Sequence, residues 1–319
     1  FWDAVLQAAG KTSTRRLAAT VLPRRLAGAA LVPTVKGSAL PDPATESDAS
    51  SIALLRSYWD RSSDLLAAEY SHSSVRTEFN TGRQRLWSGV WELDVEIAGA
   101  ALAPVSPWES VCWVSDKDVV YFELERAFAG GVRIQRQMLL AREDRFLLMA
   151  DTVLSRQAGP VRYRGALPLV NVTAVEAADD TRELRLRTAD NSVLVIPCAL
   201  GEWRQGPAAG SLAVQDQRLV LEQQAPHGNL FAPLFFDLDP RRAGAPLTWR
   251  NLTVAAQREI QPPDVAVGYR VRVGKQQWVI YRAMADRASR TVLGANTWTP
   301  FLVTRIKKSG ELENLLEIE

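Results

Sequence analysis

Between residues 118 and 153, apolar and polar positions alternate with a period of two, interrupted twice by turn residues. Val120, Phe122 and Leu124 fall on one face, and Tyr121, Glu123 and Glu125 on the other. Phe128, Ala129, Gly130 and Gly131 then supply a turn in which positive φ costs little. Val132, Ile134, Arg136, Met138 and Leu140 share the next face, with Arg133, Gln135 and Gln137 opposite. Arg142, Glu143 and Asp144 form a second turn, and the run from Arg145 to Val153 is apolar on both faces until Asp151. The pattern predicts three antiparallel strands, the third covered on both sides in the interior of stacked sheets.

Arg136 and Asp151 break the apolar phase of neighbouring strands. A hairpin centred on residues 141–144 brings them close, and a lone charge at such depth is costly. A structural ion pair that fixes register is one reading; a substrate-facing arginine is the other.

The same texture continues to residue 319. Alternating runs at 183–187, 192–199, 219–223, 229–237, 247–256, 266–273, 277–284, 291–297 and 301–306 are separated by turn signals such as Asp179-Asp180, Asp190-Asn191 and Gly274-Lys275. Many short strands at this spacing predict a mainly β protein, a large antiparallel β-sandwich over residues 71–319. The N-terminal segment, 1–70, reads as α-helical. Residues 1–31 show helical spacing around Val5, Leu6, Leu17 and Val21, ended by Pro23, and 32–51 read as a proline-rich linker. Leu54, Leu55, Tyr58, Leu65 and Leu66 predict a helix over 51–70, capped by Ser50 or Ser51.

Composition narrows the function classes. The hydrophobic fraction of 47% supports a sizeable core. Lys plus Arg number 38 against 36 for Asp plus Glu, and no basic run is interleaved with aromatics, so the sequence makes no case for a nucleic-acid partner. Cys112 and Cys198 lie in apolar, strand-like contexts and read as buried thiols; two cysteines form no metal cluster. No apolar run is long enough to predict a membrane span. Arg24 and Arg25 before a short apolar stretch resemble a signal sequence displaced too far into the chain, and a start at Phe1 reads as a fragment or trimmed product. Asn171-Val172-Thr173 and Asn251-Leu252-Thr253 match the glycosylation pattern, and Asp116 and Asp118 around Lys117 read as a solvated turn. No phosphate-cradling loop or nucleophile elbow occurs, and no cofactor is predicted.

The arrangement from Arg136 to Val153, an arginine in one strand, a turn, then an apolar strand ending near Asp151, resembles the C-terminal β-supersandwich of heparinase II/III-like proteins. That family places a helical toroid before the supersandwich, and many of its members are polysaccharide lyases. The resemblance covers mainly residues 70–163. A second family segment, a histidine, an aspartate, a phenylalanine strand, a glycine turn and another strand, is similar to 70–89 here, with His72, Phe79, Gly82 and Leu86 in place. The aspartate has no counterpart, since Ser73, Ser74 and Val75 follow His72. With only His72 and His227, no histidine-rich zinc site is predicted.

The resemblance implies a polysaccharide partner and a periplasmic or secreted compartment. It also implies β-elimination, which needs a base for the proton at C5 of a uronic acid and a group that neutralises the carboxylate. His72, Tyr70 and Arg76 are the candidate catalytic residues. Trp87, Trp91 and Trp108, clustered in sequence near Trp113, are candidate sugar platforms, with core packing as the alternative. The expected function is that of a polysaccharide lyase-related protein acting on or binding acidic polysaccharide with an incomplete catalytic set. The alternative is a non-catalytic carbohydrate-binding or structural β-sandwich module.

Overall fold

A computed structural model describes residues 41–60, 63–205 and 209–319. The expectations for residues 1–40 lie outside the described residues. Among the described residues there is no α-helix, only three short 3-10 turns, Asp48–Ser50, Ala129–Gly131 and Pro240–Arg242.

The strands run β1 (Thr45–Ser47), β2 (Ile52–Arg56), β3 (Leu65–Glu69), β4 (Arg76–Thr81), β5 (Gln84–Val90), β6 (Glu92–Ile97) and β7 (Ala100–Ala101). Next come β8 (Glu109–Ser115), β9 (Val119–Phe128), β10 (Val132–Ala141), β11 (Phe146–Leu154) and β12 (Val161–Pro168). They are followed by β13 (Ala174–Ala177), β14 (Leu184–Arg187), β15 (Ser192–Pro197), β16 (Gly210–Gln215), β17 (Arg218–Ala225) and β18 (Leu230–Asp237). The last nine are β19 (Leu247–Leu252), β20 (Val254–Ala256), β21 (Glu259–Ile260), β22 (Ala266–Val273), β23 (Gln276–Ala283), β24 (Arg290–Val292), β25 (Ala295–Thr297), β26 (Phe301–Ile306) and β27 (Leu312–Ile318).

These strands form stacked antiparallel sheets around a central one of eight strands, ordered β13-β14-β15-β18-β11-β10-β9-β8. Strand parity explains the stacking. Val120, Phe122, Leu124, Met138, Leu140, Leu147 and Met149 project to one side. There they meet the sheet β1-β2-β3-β4-β5 through Leu55, Leu66 and Phe79, and the sheet β16-β17-β12-β6-β7 through Tyr163 and Leu221. Val119, Tyr121, Leu139, Phe146, Leu148 and Phe235 project to the other side and meet the sheet β19-β22-β23-β26-β27 through Trp249, Trp278 and Phe301. A small sheet, β21-β20-β24-β25, covers part of that sheet's outer face through Val254 and Val292. The protein is thus a large, mainly β sandwich, and β11, apolar on both faces, lies between β18 and β10 in its centre.

The helix expected over 51–70 is overturned. That stretch forms the hairpin β2–β3, with Leu55 opposite Leu66, and continues through β4 in one sheet that spans residues 45–90. Burial follows period two, with Ala53 and Leu55 inside on one strand, Leu66 and Ala68 on the next, and Ser57 and Tyr70 continuing the phase just beyond each. The leucine doublets put one leucine on each face of a strand, which imitates helical spacing, and the sheet overrides the helix preference of Ala and Leu. Trp298, between β25 and β26, is 57% exposed. Cys112 and Cys198 are both free; Cys198 is buried and Cys112 half-buried.

Candidate functional site

The chain crosses from β5 in the sheet β1-β2-β3-β4-β5 to β6 in the sheet β16-β17-β12-β6-β7 at Trp91, and the β3–β4 bend lies beside this crossing. A cleft of about 420 Å³ opens there, lined among others by Ser73, Trp91, Asp94, Trp108, Arg126 and Arg136.

Arg136 forms the floor. Its side chain is 1% exposed, and its Nε donates to Asp151 Oδ1 at 3.0 Å. Nη1 donates to the Trp91 carbonyl at 2.7 Å and Nη2 to the Glu92 carbonyl at 3.2 Å. The other carboxylate oxygen of Asp151 accepts the Tyr163 hydroxyl at 2.8 Å. One arginine therefore joins the central sheet to the crossing, and through Asp151 to β12. Burial pushes the Asp151 carboxyl up, with Arg136 and Tyr163 acting against it. Gly165 makes room for this arrangement, since a methyl there would overlap the Tyr163 hydroxyl.

The tryptophans serve the arginines. Trp87 is fully buried, stacks on Phe79 at 4.6 Å between ring centres, and donates its indole N–H to Thr77 at 3.1 Å. It has no face left for a sugar. Trp91 and Trp108 are each only 5% exposed, and Arg136 lies over their rings at 4.2 and 5.2 Å. They line the cleft with little exposed area, and cation–π packing takes up ring faces that a stacking platform would offer.

Arg126 occupies the cleft wall. It donates to the Ser106 carbonyl at 2.7 Å and the Ser73 carbonyl at 2.5 Å, and lies over Trp108 and Phe128. Among the described residues no carboxylate pairs with it. Burial, and then the charge of Arg136, lowers its pKa. It is the cleft's half-buried cation with carbonyl partners only. Sequence reasoning passed over it, although its signal was available: Arg126 continues the core-facing parity of Val120, Phe122 and Leu124. Glu92, on the opposite wall, is held by Arg164 at 3.2 Å and Arg218 at 2.7 Å.

The residues expected to act as catalysts are near one another in sequence but make separate contacts. Tyr70 is buried against Phe122 and donates its hydroxyl to Asp48 Oδ1 at 2.9 Å. Burial and the Asp48 carboxylate push its pKa well above the ordinary tyrosine value, which opposes a role as base. His72 is exposed on the bend just before Ser73, and Arg76 is exposed at the start of β4 opposite Glu69. The Glu69 carboxyl is held low by the Ser71 hydroxyl first, with the Ser71 amide, His72 and Arg76 contributing. His72 and Arg76 thus share Glu69 as an electrostatic neighbour, whereas Tyr70 faces inward. His227 is exposed, 3.8 Å from Asp264. Asp116 accepts the backbone N–H groups of Asp118 and Val119, both at 2.8 Å, as a turn residue does.

No family model and no curated protein matches the sequence. Solved structures do match in fold. Heparan sulfate lyase HepC from Pedobacter heparinus superposes with a TM-score of 0.53 at 9% identity, over 79% of this chain and 44% of that one. A heparinase III with methylated lysines gives 0.54 at 9% identity over 78% and 43%, and another heparinase III gives 0.53 at 9% over 77% and 43%. The chain spans less than half the length of these structures. At such identity the likeness establishes a shared β-sandwich architecture.

Proposed function

We propose that this chain is the β-supersandwich part of a polysaccharide lyase-related protein and that it engages acidic polysaccharide at the cleft beside Trp91 and Trp108. The correspondence of fold with solved heparinases over most of the described chain carries the reading. The cleft supports it with Arg126, a half-buried guanidinium without a carboxylate partner, suited to a uronate carboxylate or a sulfate.

The catalytic arm of the reading rests on His72. In β-elimination a base takes the proton from C5, that electron pair forms the C4–C5 double bond, and the C4–oxygen bond breaks as the leaving oxygen takes a proton from water. His72 is the base and Arg76, which shares Glu69 with it as an electrostatic neighbour, neutralises the carboxylate. Tyr70 drops out because its proton is committed to Asp48. The aspartate that follows the histidine in the resembling family segment has no counterpart after His72, so that route to orienting a base is missing from the sequence. Binding is therefore the stronger half of the proposal.

The test uses the full chain with heparan sulfate and polygalacturonate. Ultraviolet absorbance of an unsaturated uronate product, abolished by His72→Ala, supports elimination. Binding without product, weakened roughly tenfold by Arg126→Gln, supports the module. Neither product nor binding on either polymer sinks the reading.

A further inference from the structure

The outer face of the sheet β19-β22-β23-β26-β27 carries a second concentration of charge, on the far side of the central sheet from the cleft. Alternation in β22 places Arg270 and Arg272 on one face, while Val271 and Val273 point into the core. Lys275 follows in the β22–β23 turn, and Lys307 and Lys308 occupy the β26–β27 turn beside it. Together with Gln277, Ile306 and Gly310 these five cations line a groove of about 580 Å³.

Three features set this groove apart from an ordinary solvated surface. First, its charge is largely uncompensated. Among the described residues, Arg270, Arg272, Lys275 and Lys308 have no carboxylate partner; only Lys307 is paired, with Glu313 at 3.3 Å and Glu311 at 3.9 Å. Second, the arginines are held by neutral acceptors. Arg270 donates through Nε and Nη2 to the side-chain oxygen of Gln277, its cross-strand neighbour in the next row, and Arg272 donates to the Gly274 carbonyl at 3.0 Å. Both guanidinium groups are thereby oriented with their charge left over. Third, Arg250 stands directly opposite Arg270 across the β19–β22 ladder. Arg250 is offset by Glu202 at 3.8 Å, which leaves Arg270 as the member of this like-charged pair without a carboxylate. A net charge of only +2 over the whole chain makes the segregation sharper.

We infer that this groove is a second anion-binding site, which takes a stretch of acidic polysaccharide apart from the cleft. The inference rests on the polysaccharide reading above for the class of ligand. The cations sit along two adjacent turns and one strand, which suits a linear polyanion with sulfate or carboxylate groups at intervals. Oriented guanidinium forks bind either group in pairs of hydrogen bonds, and the turn lysines add point charge. Exposed turn residues also let a long chain pass without a closed pocket.

The experiment compares the wild-type chain, the triple variant Arg272→Ser/Lys275→Ser/Lys308→Ser and the cleft variant Arg126→Gln. Each is titrated with heparin, which carries sulfates and carboxylates, and with polygalacturonate, which carries carboxylates only, over a salt series. The triple variant is expected to keep its thermal midpoint, to bind about tenfold more weakly at low salt, and to show a shallower dependence of affinity on salt. Loss for heparin alone assigns the groove to sulfate, and loss for both polymers assigns it to anionic groups in general; either supports the inference. Should the triple variant fold poorly, Lys275→Glu/Lys308→Glu, confined to exposed turns, carries the same expectation. Unchanged binding in a folded groove variant, with loss in Arg126→Gln, overturns the groove and leaves the cleft reading standing. A wild-type chain that binds neither polymer overturns both, and tighter groove-dependent binding of duplex DNA than of either glycan overturns the polysaccharide assignment.

Discussion

At the scale of residues, Arg136 shows how one buried charge is made tolerable. Its three donating nitrogens have three acceptors, and two indole rings cover its plane. Replacing it with alanine leaves Asp151 buried with Tyr163 as its remaining partner, and the Trp91 and Glu92 carbonyls lose their donor. Breaking a buried pair from one side costs about 3–5 kcal/mol, so Arg136→Ala is expected to lower the thermal midpoint by many degrees in a calorimetric scan. The double variant Arg136→Met/Asp151→Leu removes both charges and is expected to recover most of that loss, because a well-packed apolar replacement of an ion pair is close to neutral. A double variant no more stable than the single one would show that the carbonyl contacts matter more than the charge balance. Gly165 acts on the same unit. Gly165→Ala forces the Tyr163 hydroxyl from its place and is expected to cost roughly 1–3 kcal/mol, as overpacking does, read as a shift in urea midpoint. The same substitution in a Tyr163→Phe background should cost less, since the clashing hydroxyl is gone.

At the scale of elements, the hairpin β2–β3 and the buried Asp64 just before β3 tie an edge sheet to the centre. Asp64 accepts the Thr81 hydroxyl at 2.8 Å and faces Arg145 at 3.4 Å, in the turn between β10 and β11. Burial raises its pKa above the ordinary 3.8, against the opposing pull of Arg145 and Thr81. A carboxyl raised in the folded state binds more protons there than in the unfolded chain, so its contribution is fully present below 3.8 and is lost as pH rises through the folded value. Asp64→Asn lacks that titration. The stability of the wild type relative to Asp64→Asn, from urea unfolding at several pH values, is expected to fall as pH rises through this window and to level off above it. A difference that grows with pH would mean that Arg145 outweighs desolvation. The hairpin also marks, against other strands, where the alternation in the sequence was faint. Ala266–Val273 and Phe301–Ile306 match the alternation to the residue, and β9, β10 and β11 follow it closely, because bulky residues mark one parity and glycine or charged turns punctuate it. In β2 and β3 half of the inward positions are alanine, so the period-two signal is faint beside the leucine doublets. In the site, parity was enough to place Arg126, whereas nothing local told that the open faces of Trp91 and Trp108 would be taken by a guanidinium from a strand 28 or more residues away.

At the scale of the whole molecule, stacking makes stability uneven. β11 is paired on both edges, to β10 and β18, and buried on both faces by two separate cores. Its backbone amides are released only when a sheet parts and a core opens together. The outer sheets have one covered face over much of their length, and β1, β7, β13 and β21 are edge strands of two to four residues, mostly exposed. Opening such an edge exposes little apolar surface, so it costs far less than global unfolding. Hydrogen exchange followed by mass spectrometry is therefore expected to rank the peptides in a definite order. Those covering β10, β11 and β18 should exchange slowest, at rates set by global unfolding. Those covering β13, β7 and β21 should exchange fastest. The β22–β23 and β26–β27 turns should also exchange early in the free protein and slow down when heparin is added, while the cleft segment around Ser73 slows with the same ligand if both sites are filled. Arg136→Ala should speed exchange at the crossing near Trp91 before it affects β18, because the arginine donates to the carbonyls at that crossing and pairs within β10 and β11. Equal acceleration across all three central strands would instead mean that the sandwich opens as one unit, with no local role for the crossing.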